Sequence, residues 1–119
     1  MFNKFICVGN LVKTPELRYT GQGTPVCNMT VAVNSKVKSG DEYKDEVFYM
    51  DTIIWGKQGE SCSQYLDKGH QVLVEGRLQT RSWEKDGQKH YKTECVAATV
   101  KFLGKKDDNQ SQDSGSETF

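Results

Sequence analysis

Residues 48–57 have the most distinctive chemistry in the chain: three aromatic residues and a carboxylate stand in a run rich in β-branched residues. That composition predicts a strand, in which successive side chains point to opposite faces. Tyr49, Asp51 and Trp55 then share one face. A buried face would not readily accept the carboxylate, and a fully solvated face does not usually carry two large aromatic rings. Exposed rings on a sheet suit flat ligands that stack, such as nucleobases.

The opposite face of this strand is predicted to join the hydrophobic core. Its residues are Phe48, Met50, Thr52 and Ile54. On the aromatic face, the carboxylate of Asp51 calls for a cationic neighbour. We expect it to pair with a nearby lysine or arginine, for which Lys36 is one candidate.

The composition favours one all-β domain. The chain has 119 residues, enough for a core of its own, and its 11 glycines lie between short apolar runs while prolines number only 2. No apolar run approaches the roughly 20 residues that span a bilayer, and the first residues lack the regions of a signal peptide. We therefore expect a soluble, cytoplasmic protein without a membrane partner.

The cysteines and histidines give no sign of a metal site. Cys7, Cys27, Cys62 and Cys95 are widely spaced, and both histidines are isolated. We expect free thiols that act as small apolar side chains, and no cofactor. The sequence shows no recognisable carboxylate pair, nucleophile–histidine set or phosphate-binding glycine loop, so we do not expect an enzyme.

The net charge of zero conceals an asymmetry between the body of the chain and its end. All 16 lysines and arginines lie in residues 1–106 with 12 acidic residues, which gives this segment a charge of +4. The last 13 residues carry a charge of −4 from Asp107, Asp108, Asp113 and Glu117. A mildly basic body is compatible with a polyanionic partner.

Apolar patterns predict five strands and one short helix. The strands fall at about residues 3–12, 24–36, 48–57, 71–83 and 89–103, with a long loop at 13–23 and a turn near Gly40. The helix lies within 58–68, where Cys62, Tyr65 and Leu66 form an apolar stripe and Gly69 follows as the C-terminal glycine.

The last two strands are predicted to form a hairpin. Asp86 and Gly87 are typical of a two-residue turn, whose register places Trp83 opposite His90. In the final strand, one apolar face is formed by Val96, Ala98, Val100 and Phe102. We expect Tyr65 and Phe102 to belong to the core.

The order of strand, strand, strand, helix, strand, strand predicts an OB-fold, an all-β, five-stranded Greek-key barrel that binds oligonucleotides or oligosaccharides on its second and third strands. The barrel domain is expected at residues 1–104. Residues 105–119 are polar and acidic and are expected to form a short disordered tail.

Eight segments of the chain resemble the bacterial-type single-stranded DNA-binding proteins, in the same order and over residues 3–103. The segments are Val8–Leu11, Pro15–Tyr19, Gly23–Val26, Trp55–Lys57, Tyr65–Gly69, Val74–Leu78, Thr80–Trp83 and Tyr91–Glu94. The resemblance implies sequence-independent binding of single-stranded DNA in replication, recombination and repair. It also implies a homotetramer, with contacts from the first strand and the Met50 region, in a bacterial cytoplasm.

The resemblance assigns base stacking to three residues: Tyr49, Trp55 and Trp83. The departures from the family pattern are Val37 in place of an aromatic residue, with Tyr43 nearby, and Met50 in place of a histidine. The tail also lacks the family's terminal Ile-Pro-Phe. Its own candidates for docking replication and repair proteins are Asp113, Glu117 and Phe119.

Cationic side chains are needed along the path of the DNA backbone. The candidates are Lys4, Arg18, Lys36, Lys57, Arg77, Arg81, Lys85 and Lys89. Three alternatives remain open. The tryptophans could pack at the barrel rim or between subunits, Arg77 could pair with Glu75, and the domain could be a replication-accessory module whose aromatics face a protein.

Overall fold

The computed structural model describes residues 1–105 as a closed sheet with one helix. The elements are β1 (Phe5–Leu11), β2 (Glu16–Tyr19), β3 (Pro25–Ser39), β4 (Glu42–Trp55), α1 (Gly56–Tyr65), β5 (His70–Lys85) and β6 (Gln88–Lys105). The tail predictions, including those for Asp113, Glu117 and Phe119, lie outside the described residues. No helix in residues 1–105 is long and apolar enough to cross a membrane.

The strands follow one another around a ring, which confirms the predicted OB-fold barrel. Their order is β1, β5, β6, β4, β3, β2, and a second pairing of β1 with β3 closes the ring. All pairings are antiparallel except that of β4 with β6, where Thr52 lies beside Cys95 and Ile53 beside Val96.

The segment predicted as a long loop contains a short sixth strand. β2 pairs with the start of β3, and Leu17 lies opposite Cys27 and packs against the core. Pro15 precedes this strand, where a missing N–H does no harm to the ladder. The loop prediction was therefore wrong for residues 16–19.

The charged segment after residue 35 is an ordered hairpin. Pairing of β3 with β4 continues to Ser39 and Glu42, far beyond the barrel. Gly40 turns the chain with a φ of +66°, a conformation that glycine adopts without steric cost. We call residues 36–46 the β3–β4 arm.

The helix begins and ends earlier than predicted. Leu66 leaves the helical conformation, with φ −108° and ψ 147°, and buries its side chain in the core. Tyr65 consequently points outward and is 63% exposed, so its assignment to the core was wrong. Gly69 lies in the turn before β5, where its N–H donates to the carbonyl of Leu11.

A bulge in β6 divides the apolar face that the sequence predicts. Glu75 pairs with Thr99 but Gly76 pairs with Ala97, so Ala98 has no partner and the alternation changes phase. The residues that β6 contributes to the core are Cys95, Ala97 and Val100. Phe102 is exposed, and its assignment to the core was wrong.

The helix is tied to this bulge by the side-chain amide of Gln58. It donates to the carbonyl of Ala98 at 3.1 Å and accepts from the N–H of Val100 at 2.7 Å. These bonds satisfy backbone groups near the irregularity in the ladder. Gln58 therefore fixes α1, and with it the end of β4, against β6.

All four cysteines are free and buried, as predicted. Burial raises the pKa of Cys7 and Cys27 to about 11 and that of Cys62 to about 12. Protonated thiols fill the core as small apolar groups.

Gly59 tests how closely α1 packs on the sheet. A Cβ there would overlap the carbonyl oxygen of Ile54 and lie 3.3 Å from Cβ of Cys27. Helix propensity alone would make Gly59→Ala stabilising by about 1 kcal/mol. We expect Gly59→Ala to lower the free energy of unfolding by about 1–3 kcal/mol, because the added methyl group overpacks the core. Urea unfolding measures the difference.

Gly21→Ala is the matched control, since nothing lies within 4 Å of a Cβ at that position. A stabilising Gly59→Ala would contradict the close approach of α1 and β4.

Candidate functional site

The predicted aromatic and cationic residues collect largely on one side of the barrel wall. Directly paired residues on neighbouring strands share a face. Ile53 of β4 lies beside Val96 of β6, and Val96 lies opposite Arg77 of β5. Trp55 is two residues after Ile53 and so shares this face. We call this continuous surface the outer face. It is formed by the outward side chains of β2, β3, β4, β5 and β6.

Two of the predicted stacking residues are open to solvent on β4. Tyr49 is 65% exposed and Trp55 is 50% exposed. They are six residues apart along the strand, roughly 20 Å at about 3.3 Å per residue. Trp55 is the last residue of β4, and Gly56 turns the chain into α1 with a φ of +75°. The two rings are therefore separate platforms with Asp51 and Ile53 between them.

The third predicted stacking residue, Trp83, is already in contact with neighbours. Its ring stacks on His90 with centroids 5.6 Å apart and an interplanar angle of 20°, and the guanidinium of Arg81 lies 5.3 Å from the ring centroid. The pairing of Trp83 with His90 confirms the predicted hairpin register. These contacts orient the ring and leave it 39% exposed.

Arg81 also has a second partner, Glu94. Its Nε and Nη2 donate to the two carboxylate oxygens at 2.9 and 3.0 Å. Glu94 is only 1% exposed. A buried carboxylate is costly unless a cation and hydrogen bonds satisfy it. The first task of Arg81 is therefore to neutralise Glu94.

The partner of Asp51 is Lys92, at 2.8 Å, and not Lys36. Lys36 pairs instead with Asp45, which lies opposite it in the β3–β4 arm, at 3.2 Å. Lys92 reaches Asp51 because β6 runs parallel to β4 at this point. The hydroxyl of Thr30 donates a second hydrogen bond to the same carboxylate at 2.6 Å.

The electrostatics of Asp51 follow from these contacts. Partial burial alone would raise the pKa of its carboxyl group, but the hydrogen bonds from Lys92 and Thr30 outweigh it, with help from the charges of Lys92 and Lys13. The pKa is held below its usual value. Asp51 is therefore ionised at neutral pH, with its charge compensated locally.

The remaining predicted cations divide into paired and unpaired groups. Lys4 forms an ion pair with Glu75, so Glu75 is not the partner of Arg77. Within residues 1–105, the predicted cations without an ion-paired carboxylate are Arg18, Lys57, Arg77, Lys85 and Lys89. Arg18 donates to the side-chain oxygen of Asn28 at 3.2 Å.

The structure brings some of these cations to the outer face and leaves others aside. Arg18, on β2, and Arg77, on β5, lie on this face by register. Lys57 lies two residues after Trp55, in the first turn of α1. Lys85 is on the Trp83 side of the hairpin, whereas Lys89 lies opposite Glu84 in the strand register and points to the other side.

Several residues of the outer face were missed at the sequence level. Lys92, Thr30 and Glu94 carry no local signal, because their partners are determined by strands that are distant in the chain. His90 had a signal, since the turn register already placed it beside Trp83. In the described part of the chain, no three His, Cys, Asp or Glu side chains cluster as metal ligands.

The family description "Single-strand binding protein family" matches residues 2–103. Among similar proteins, a single-stranded DNA-binding protein from Treponema pallidum is 46% identical over 102 residues, 86% of this chain and 58% of that protein. Single-stranded DNA-binding protein 2 from Clostridium acetobutylicum is 47% identical, over 85% of this chain and 76% of its own. This chain thus spans less than two thirds of the length of the Treponema relative.

Solved structures share the fold. A Plasmodium falciparum SSB in complex with ssDNA superposes with a TM-score of 0.81 at 24% identity, covering 87% of this chain and 96% of that one. A deletion mutant of the single-stranded DNA binding protein from Thermus aquaticus gives a TM-score of 0.78 at 29% identity, covering 86% of this chain and 50% of that one.

The lowered pKa of Asp51 predicts a pH-dependent contribution to stability. A carboxyl group whose folded-state pKa is depressed stabilises the fold above its unfolded pKa, about 3.9, and loses that contribution as the pH falls through the folded value. Asp51→Asn should lower the free energy of unfolding by less than about 1 kcal/mol at pH near 7, since the ion pair of Asp51 with Lys92 is partly exposed. Urea unfolding across acid and neutral pH measures it.

The difference in free energy of unfolding between Asp51→Asn and the unmodified chain should shrink as the solution becomes strongly acidic. A difference that stayed constant with pH would contradict the ion pair with Lys92 as its source.

Proposed function

The chain belongs to the single-strand binding protein family, and we propose that it binds and protects single-stranded DNA during replication, recombination and repair. The observation that carries the proposal is the outer face, where two exposed aromatic rings stand on one strand among basic side chains. Such a surface can hold a strand of any sequence, because every base has a π-face on which an aromatic ring can stack.

Tyr49 and Trp55 are proposed as the main stacking platforms. Both rings are exposed and lie on the middle strand of the face. Their separation of roughly 20 Å leaves room for more than one nucleotide between them. Trp83 is proposed as a third platform at the base of the β5–β6 hairpin, oriented by His90 and Arg81.

The phosphates are proposed to contact the cations that have no ion-paired carboxylate within residues 1–105. These are Arg18, Lys57, Arg77 and Lys85 on or beside the outer face, and Lys89 on the other side of the β5–β6 hairpin. Lys4, Lys36 and Arg81 have a secondary part, because each already neutralises a carboxylate of the chain. Binding through phosphates releases counterions, so affinity falls as salt rises.

Two acidic residues of the outer face, Asp51 and Glu94, do not oppose this role. Asp51 is compensated by Lys92 and Glu94 by Arg81. Each pair is close to neutral, and the uncompensated lysines and arginines dominate the field that the DNA backbone meets.

Self-association is proposed as well, with a homotetramer as the assembly. Ile6 of β1 is exposed, and Phe48 of β4 is exposed beside half-buried Met50. Phe48 also meets Phe5 edge-on, with centroids 6.5 Å apart. Exposed apolar side chains such as Ile6 and Phe48 support contact between copies of the chain. Docking of replication and repair proteins by Asp113, Glu117 and Phe119 is proposed from the family resemblance.

Trp55→Ala tests the stacking mechanism. Loss of one base–aromatic stack should weaken binding of oligo(dT) by about 1–3 kcal/mol while the fold survives, because the ring is half exposed. Fluorescence anisotropy of a labelled oligonucleotide measures the dissociation constant.

Tyr65→Ala is the control, since Tyr65 is an exposed aromatic residue on α1 rather than on the proposed stacking strand. Equal affinities for the unmodified chain and both variants would contradict stacking on Trp55. An unmodified chain that does not bind oligo(dT) would favour the alternative, an accessory domain whose aromatics contact a protein.

A further inference from the structure

A polar depression lies on the outer face next to Asp51, on the strand that carries Tyr49 and Trp55. Its volume is about 210 Å³. The polar side chains in its lining include Lys13, Glu16, Asn28, Thr30, Asp51 and Lys92. It therefore combines hydrogen-bond donors and acceptors, unlike the aromatic platforms on either side.

The carboxylate of Asp51 is fixed in place and still accessible. Thr30 donates to Oδ1 and Lys92 to Oδ2, so the group has a defined orientation. Its side chain is nevertheless 39% exposed. Each carboxylate oxygen can accept more than one hydrogen bond, so Asp51 keeps acceptor capacity for a ligand. A preorganised acceptor of this kind loses little entropy on binding.

A nucleotide that crosses from Tyr49 to Trp55 must pass over this carboxylate. The carboxylate of Asp51 offers only acceptor oxygens, which a phosphate group cannot use, so the nucleotide is expected to turn its base towards the depression and its backbone towards the uncompensated cations. The edge of the base then meets an acceptor, Asp51, beside a donor, Lys92.

We propose, on the basis of the proposed function, that Asp51 and Lys92 read the edge of one base and favour cytosine over thymine. In cytosine the N4 amine donates to a carboxylate, and the adjacent N3 accepts from an ammonium group. Thymine has a carbonyl oxygen where cytosine has its amine, and its N3–H lies between two carbonyl oxygens that repel a carboxylate. Binding is thus sequence-tolerant through stacking, with one modest base preference.

The experiment compares the dissociation constants of oligo(dC) and oligo(dT) of equal length, at mildly alkaline pH. The ratio of the two constants is the readout. Removing Asp51 also releases Lys92, which should strengthen phosphate contacts for both oligonucleotides alike, and this change cancels in the ratio. Asp51→Ala should lower the preference for oligo(dC) relative to oligo(dT) by about fivefold. Asp51→Asn, which retains one side-chain acceptor, should lower the preference for oligo(dC) by a smaller factor.

Asp45→Ala is the matched control. It also removes an aspartate from β4 and releases a lysine, Lys36, but it lies on the β3–β4 arm, away from the depression. Its ratio should equal that of the unmodified chain. If both oligonucleotides bind and Asp51→Ala leaves the ratio unchanged, base reading by Asp51 is overturned and the proposed function stands. If neither oligonucleotide binds the unmodified chain, the proposed function and the inference fail together.

Discussion

The short parallel contact between β4 and β6 is the constraint on which the site depends. Two residue pairs, Thr52 with Cys95 and Ile53 with Val96, join the strands there. The contact unites the paired strands β3 and β4 and the paired strands β5 and β6 into one wall. Without it, Tyr49 and Trp55 would belong to one ribbon and Arg77 and Trp83 to another. The helix secures the same junction, because Gln58 hydrogen-bonds to the backbone of β6 at the bulge.

The same contact governs the electrostatics of the outer face. It brings Lys92 within 2.8 Å of Asp51, and the neighbouring pairing of β5 with β6 holds Arg81 on the buried Glu94. Asp51 and Glu94 therefore each have a cation that the fold supplies. The same face carries two exposed aromatic rings, and some of its lysines and arginines have no ion-paired carboxylate within residues 1–105. Pairing also gives Asp51 a fixed geometry, on which its proposed reading of a base edge depends.

Features that are encoded within a few residues of the chain could be predicted from the sequence. Alternation along residues 48–57 separates Tyr49 and Trp55 from the core, and the Asp86-Gly87 turn sets Trp83 opposite His90. Features that depend on tertiary contacts could not. The partner of Asp51 requires a parallel pairing between strands that are not consecutive. The exposure of Ala98 follows from the bulge in β6, which the apolar pattern does not reveal. Tyr65 was misplaced because Leu66 leaves the helix to enter the core.

The most direct measurement is a titration of the unmodified chain with oligo(dT), followed by tryptophan fluorescence at several salt concentrations. Stacking on Trp55 and Trp83 predicts quenching of the emission. Phosphate contacts predict that the logarithm of the affinity falls linearly with the logarithm of the salt concentration, by about 0.7 for each phosphate neutralised. Emission that oligo(dT) does not change, or an affinity that salt does not alter, would contradict the account.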